Sequence, residues 1–544
     1  MVDFKKLRQS KSQAIVIDPK EIFRRLPKPE GINDLYISQG EVLDQWFERR
    51  GEKDIVIKLH TGGGKTLVGL LIAQSIMNEK GKPVVYLCPN NQLVQQTLVK
   101  AEEYGISAVQ YEKGSYFSDE FLEGRSVLIC NYQALFNGLS RFGTKGGHKT
   151  IIEAGAIILD DSHVALSALR QGFTFRVDKD GHPECYSYLC SVFRKDFIDL
   201  DKVGTFDDVV EGAEFSVLEI PYWSWRERSQ QIRDYLKGNL DLSSDEFAFI
   251  WPLLRDNFDH CHALIGPKSF VITPIFPLVD LIPTFQECSH RVFMSATITD
   301  DSAIVKTFDA DPDSVMKPIT SNSLTGVSER MIIVPELMRK SSEDIVSSVP
   351  AFAKYIVEKK GMATVVLTPG DYAVKQWSEV AEYADTSKKV SSFIEKLQAG
   401  NSRGPFVFAN RYDGIDLPGT ACRILIVDGC PRGLDEYDLF RASVFSGGAE
   451  LNGFLAQRIE QAIGRGPRDY CVVILMGKDL VSWISLSSNL KYLTTSTRAQ
   501  LEMGSEVSRD VKNKNDFLMT VMSCLDRDRD WIEYHAETLA ELDN

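Results

Sequence analysis

Nine short apolar runs, most of them rich in β-branched residues, set the strongest limit on how this 544-residue chain can fold. The first five are Ile55-Val56-Ile57, Val84-Val85-Tyr86-Leu87, Val127-Leu128-Ile129, Ile157-Ile158-Leu159 and Arg291-Val292-Phe293-Met294. The other four are Thr364-Val365-Val366-Leu367, Phe406-Val407-Phe408, Ile424-Leu425-Ile426-Val427 and Val472-Val473-Ile474-Leu475. Each closes at a turn signal and gives way to a stretch of helical character. Strands buried on both faces read as unbroken apolar runs, and helices between parallel strands are what cover both faces. The pattern predicts an α/β protein with two parallel-sheet lobes, one over 35–165 plus 266–329 and one over 330–485. Residues 166–265 break the alternation with long polar helical segments, few clear strands and Trp223, Trp225 and Trp251. They read as a helical insertion in lobe 1. Residues 1–34 form an N-terminal segment and 486–544 a helical C-terminal appendage.

Composition narrows the class. At roughly 150 residues per folding unit the chain holds three or four units, and 43% hydrophobic with 25% charged residues suffices for a large core. No apolar run approaches the roughly 20 residues that span a bilayer. The basic start, MVDFKKLRQSKSQ, lacks the apolar stretch of a signal peptide. Ten scattered cysteines are unlike a small secreted disulfide framework and suit a reducing cytoplasm. The net charge of −14 argues against coating nucleic acid by bulk electrostatics, but leaves room for a basic groove between lobes. Part of that acidity is in the last 44 residues, with eleven Asp/Glu against five Lys/Arg.

The segment His60-Thr61-Gly62-Gly63-Gly64-Lys65-Thr66 follows the first strand and precedes a helix, the setting of a phosphate-binding loop. Glycines let backbone N–H groups face phosphate oxygens, and the helix N-terminus adds partial positive charge. Lys65 is placed for the β- and γ-phosphates, and Thr66 for Mg²⁺. The general pattern has glycine where Leu59 stands. Downstream, Asp160-Asp161-Ser162-His163 ends another apolar strand. Asp160 suits Mg²⁺, held directly or through water. Asp161 suits orienting and deprotonating an attacking water. Alone the pair could merely cap a helix; combined with the upstream loop it reads as a nucleotide site.

With these motifs in order, the chain resembles a superfamily 2 helicase of the DEAH-like kind, closest to the XPD/DinG branch. The resemblance covers roughly residues 35–165 and 290–480 and implies two RecA-like lobes with ATP and Mg²⁺ between them. Gln39 stands where such proteins read adenine, although a surface helix glutamine is the alternative. Pro89-Asn90-Asn91-Gln92 falls where the family contacts the nucleic-acid backbone. Ser295-Ala296-Thr297 matches the motif that, with His163, couples the ATP site to strand contacts. Asp413-Gly414-Ile415-Asp416 is similar to the branch's EGID motif, implying that Gly414 and Asp416 lie between nucleotide and nucleic acid. Gln461-Ala462-Ile463-Gly464-Arg465-Gly466-Pro467-Arg468 matches QxxGRxxR, implying that Gln461, Arg465 and Arg468 act in catalysis, the two arginines reaching across the cleft to the γ-phosphate. Two departures stand out: Asp161 replaces the usual Glu, and only Cys88 and Cys130 occupy the interval where XPD-type enzymes keep four iron–sulfur cysteines, so no such cluster is expected. The insertion takes the place of the XPD arch.

The expected activity is ATP hydrolysis driving a nucleic-acid helicase or translocase, with DNA preferred over RNA as partner and no membrane association. The alternative is an ATP-gated nucleic-acid sensor or assembly switch that does not unwind, working with a nuclease or other effector in antiphage defence. In the insertion and just after it, His182, Cys185, Cys190, His260, Cys261, His262 and Cys288 match no familiar zinc spacing and read as buried thiols and ordinary histidines. Its tryptophans read as core rather than base-stacking platforms.

Overall fold

The computed structural model describes residues 15–29, 34–59, 63–212, 216–295, 301–321, 329–338, 342–410, 417, 419–431, 436–444, 448–464 and 470–542. Lobe 1 opens with β1 (Asp54–Lys58), β2 (Val84–Cys88), β3 (Ala108–Gln110), β4 (Val127–Asn131) and β5 (Ala156–Leu159). The insertion supplies β6 (Phe175–Asp178), β7 (Leu218–Glu219), β8 (Cys261–Ile265) and β9 (Ser269–Pro274). The chain returns to lobe 1 as β10 (Arg291–Ser295) and β11 (Ile319–Thr320). Lobe 2 holds β12 (Glu329–Ile333), β13 (Thr364–Thr368), β14 (Glu382–Tyr383), β15 (Phe406–Ala409), β16 (Ile424–Asp428) and β17 (Tyr470–Met476).

Lobe 1 is a seven-stranded sheet in the order β11-β1-β10-β5-β2-β4-β3, and lobe 2 a six-stranded sheet in the order β12-β17-β16-β13-β15-β14. Every pairing in both is parallel. The two lobes are RecA-like, as expected. Alternate residues of each strand feed separate cores on the two faces: in lobe 1, Ile55 and Ile57 join one cluster and Val56 the other.

The described part of the N-terminal segment, residues 15–29, packs on lobe 1. The helix Pro19–Arg25 buries Ile22 and Phe23 in the lobe 1 core, and Asn78 Nδ2 donates to the Val16 carbonyl at 2.7 Å. The C-terminal appendage is helical, as expected, but merges with lobe 2. Phe517, Val521 and Trp531 enter the lobe 2 core, and the Ser508 hydroxyl accepts the Val334 N–H at 2.9 Å. Among the described residues, no helix is long and apolar enough to cross a membrane.

The insertion is helical but also contains a four-stranded antiparallel sheet, β6-β9-β8-β7, which the sequence reading did not contain. β6 and β7 are brief, but β8 and β9 are at least as long as β1 and β10, and the Phe270-Val271-Ile272 run of β9 is a strand signal that the expectation passed over. β9 falls beyond the expected limit of residue 265, and we assign 173–274 to the insertion. Three helices, Pro183–Asp199, Val203–Glu211 and Tyr222–Asn239, enclose its core. Trp225 and Trp251 are core residues, whereas Trp223 is exposed beside Tyr222. Cys185, Cys190 and Cys261 are buried in the insertion and Cys288 in lobe 1; burial pushes each thiol up. His182 pairs with Glu246 at 2.9 Å and His262 with Glu219 at 2.7 Å.

Candidate nucleotide site and interlobe cavity

β1 delivers the chain to the glycine loop, and the helix Lys65–Lys80 carries it away. Gly64 is that helix's N-cap, at φ 72° and ψ 37°. Glycine is required there for two reasons. The conformation is left-handed, and a Cβ would lie 2.2 Å from Gln39 Nε2. Gln39 is buried against the loop, donating from Nε2 to the Gly63 carbonyl at 3.2 Å, while its Oε1 accepts the Tyr36 N–H at 3.0 Å. It is therefore not a surface glutamine. Lys65 and Thr66 occupy the helix's first turn, where the leading N–H groups and the macrodipole favour an anion.

Asp160 emerges from β5, and burial shapes its chemistry. Its carboxyl is pushed up to about 6, first by desolvation and then by the neighbouring Asp161 charge. Lys65, the Tyr86 hydroxyl and the Asp161 backbone N–H pull it back down. Tyr86 Oη donates to Asp160 Oδ2 at 3.0 Å, and Tyr132 Oη donates to the Asp160 carbonyl at 2.6 Å. Asp161 caps the helix Ser162–Gly172 in the left-handed region, at φ 52°. A buried carboxyl that is costly to ionise, near a lysine at a helix N-terminus, fits Mg²⁺ and a nucleoside triphosphate. Asp160 and Thr66 would hold the metal, and Lys65 and the loop the phosphates.

Sequence reasoning did not single out the link behind this site. Asp301 sits 2.5 Å from Lys58 Nζ at the end of β1 and 3.9 Å from His163 Nε2. One carboxylate thus meets the strand leading into the phosphate loop and the helix following Asp160. Asp301 lies four residues after Thr297, and the available signal was a second acid just past the Ser295 motif. Ser295 itself is fully buried at the end of β10, and its carbonyl accepts the Leu59 N–H at 3.1 Å. The β1/β10 pairing is pinned at its other end by a bidentate ion pair, Arg291 Nε to Asp54 Oδ1 at 2.5 Å and Nη2 to Oδ2 at 2.7 Å.

Asn90 accepts the Leu93 N–H at 3.0 Å as an N-cap, and Asn91 Oδ1 accepts from Asn131 Nδ2 at 2.7 Å. Pro89 and Gln92 flank them at the exit of β2. In lobe 2, Gln461 lies near the end of the helix Ala449–Ile463. Gln461 and His163 line one cavity of about 540 Å³ between the lobes. Its walls also carry Arg170, Lys306, Arg441 and Arg458. His60, Thr61, Gly62, Thr297, Gly414, Asp416, Arg465 and Arg468 lie outside the described residues.

Residues 33–176 match the family model described as the type III restriction enzyme, res subunit. A 146-residue stretch is 26% identical to the ATP-dependent DNA helicase Hel308 of Thermococcus kodakarensis, covering 26% of this chain and 12% of that protein. The chain therefore spans about an eighth of that relative's length. Among solved structures, S. tokodaii Xpd4 matches at 13% identity and a TM-score of 0.49, over 84% of this chain and 98% of that one. The DEAD-box helicase Mss116, bound to ssRNA and UDP-BeF, matches at 12% identity and a TM-score of 0.43, over 98% of this chain and 88% of that one. In the lobe that carries Lys65 and Asp160, this chain is similar to superfamily 2 helicases.

Proposed function

We propose that the chain hydrolyses ATP between its lobes and uses the cycle to move along or remodel nucleic acid, DNA in preference to RNA. The observation that supports this most is a Lys65 charge close enough to act on buried Asp160, with His163 and Gln461 facing a common interlobe cavity. Lys65 and the helix N-terminus hold phosphate charge. Asp161, beside Asp160 at the next helix's start, orients water and accepts its proton. When bound, Mg²⁺ neutralises phosphate charge during transfer. Arg465 and Arg468, by the resemblance, complete the site from lobe 2. The cation-rich cavity wall suits a charge-based grip on the nucleic-acid backbone.

ATP turnover with and without single-stranded DNA and RNA tests the reading, followed by strand displacement on tailed duplexes. Lys65→Ala should lower turnover by about 100-fold or more while leaving the melting temperature nearly unchanged. Undiminished turnover would remove the site assignment. The second reading, a gated switch that does not unwind and acts with an effector such as a nuclease, is favoured by Asp161, one methylene shorter than the family's Glu. Stimulated turnover without strand release would select it.

A further inference from the structure

The insertion leaves and re-enters the chain in lobe 1, yet it is anchored to both lobes. On the lobe 1 side, Arg170 of the helix Ser162–Gly172 donates to the Pro274 carbonyl and, at 3.5 Å, to the Thr273 hydroxyl, and the Thr174 hydroxyl donates to the Arg170 carbonyl at 2.6 Å. On the lobe 2 side, the insertion's sheet covers the helix Glu436–Val444. Strand alternation explains how. Ala263, Ile265, Phe270 and Ile272 face the insertion's own core, whereas Leu264 and Val271 point the other way. With Val217, they pack against Tyr437, Leu439 and Phe440 of lobe 2.

A charged cluster sits at this contact. Glu436 is only 6% exposed. Its Oε1 accepts from the Ser269 hydroxyl at 2.5 Å, its Oε2 pairs with Arg176, and Arg176 Nη1 donates to Ser269 Oγ at 3.0 Å. Gly266 leaves room for this side chain, since a Cβ there would lie 2.7 Å from Glu436 Cγ. One residue on, the Arg170 guanidinium lies over the Tyr437 ring at 4.2 Å. The anchored helix in turn meets the Gln461-bearing helix, with Arg441 over Phe454 at 5.4 Å.

The geometry points to Glu436 as a positioning residue of the ATP cycle. Through Arg176 and Ser269 it fastens lobe 2 to the insertion, and so holds the Gln461 helix across the cavity from His163. The insertion is then a strut that sets the gap between the lobes, independently of the contacts nucleotide makes. A carboxylate enclosed with one arginine and one hydroxyl gives a contact of defined geometry, and removing either partner leaves the other without its match. The kinetic consequence rests on the ATPase reading above; the mechanical one does not.

Two measurements on the full chain separate them. In steady-state hydrolysis, Glu436→Ala should lower kcat by about tenfold with the KM for ATP within twofold of the parent, at a temperature well below melting. Adding Arg176→Met should cost no further activity, because the two residues act as one unit. Gly266→Ala, which crowds Glu436 without changing charge, should reproduce the kcat loss, as should Arg176→Met alone if the Glu436 variant fails to fold. The mechanical arm uses fluorophores on Asp180→Cys in the insertion and Glu395→Cys in lobe 2. All ten native cysteines are buried, so labelling is selective. The inter-dye distance should be narrow in the parent and broadened by Glu436→Ala or Gly266→Ala. A parent without turnover would sink the ATPase reading and leave the strut to be judged by distance alone. An unchanged distance distribution in both variants, or kcat within twofold of an active parent, would overturn the proposal.

Discussion

The two lobes share a sheet type but treat buried acids differently. Lobe 1 sets them against cations: Asp54 with Arg291, Asp301 with Lys58, and Asp160 near Lys65. Lobe 2 gives a cation to Glu436, whose partner Arg176 comes from the insertion, and sets three acids of its own frame against neutral donors. Asp428 accepts from Trp377 Nε1 at 2.8 Å, Glu336 from the Gly477 N–H at 2.6 Å, and Glu460 from the Thr494 N–H at 2.6 Å. Burial pushes all three of those carboxyls up, Glu460 to about 7. The lobe proposed to cradle phosphate is thus organised by fixed charge, while its partner carries protonatable groups within its frame.

The comparison breaks most visibly at the Arg291–Asp54 pair. Asp54→Ala leaves a guanidinium enclosed in lobe 1 and should destabilise that lobe by about 3–5 kcal/mol. Denaturant unfolding should show the transition that includes lobe 1 moving while the lobe 2 transition holds. Loss of both together would mean that the lobes unfold as one unit.

Acidity sharpens the contrast next, because His290 in lobe 1 and Glu460 in lobe 2 are shifted in opposite directions. In lobe 1, His290 is lowered to about 4 by burial, with Trp46 Nε1 donating to its Nε2 at 3.1 Å. Its stabilising effect is complete above the ordinary histidine value of about 6.5 and is lost as pH falls through 4. In lobe 2, the raised Glu460 contributes fully below its ordinary value of about 4.5, and that contribution is lost as pH rises through 7. Each effect amounts to about 3 kcal/mol between its extremes. Difference curves for His290→Gln and Glu460→Gln against the parent should therefore slope in opposite directions, the first confined to acid and the second to the range from about 4.5 to 7. Parallel slopes would refute the assignment.

The smallest effect concerns Asp160. Tyr86→Phe deletes one donor to the carboxylate and should cost about 1 kcal/mol of its ionised form. The Mg²⁺ concentration needed for half-maximal turnover should rise several-fold at pH 6 and less at pH 8. An equal rise at both values would show that Tyr86 acts through packing.

The parallel strands were legible because a strand covered on both faces must be apolar throughout, as Val84-Val85-Tyr86-Leu87 and Ile424-Leu425-Ile426-Val427 are. The proposed phosphate loop stands out in the sequence because glycines, lysine and hydroxyl in that order suit a phosphate group. What remained hidden depends on contacts distant in sequence. Ser269 and Glu436 are 167 residues apart, and Asp301 gains meaning only beside Lys58 and His163. The insertion's sheet was partly legible in Phe270-Val271-Ile272, but Leu264 and Val271 owe their burial to another lobe, not to a local periodicity. The placement of Gln39 turned on a loop 24 residues further along, at Gly63.

The neck of the insertion has a consequence for how such chains diversify. β6 and β9 are neighbours, pairing Phe175 with Ile272, so the polypeptide departs and returns through one doorway. Whatever lies between can be exchanged as a cassette without rethreading the parent sheet. A graft would keep its place in lobe 1 from the doorway alone, but it would span the cleft only by bringing its own counterpart to Glu436.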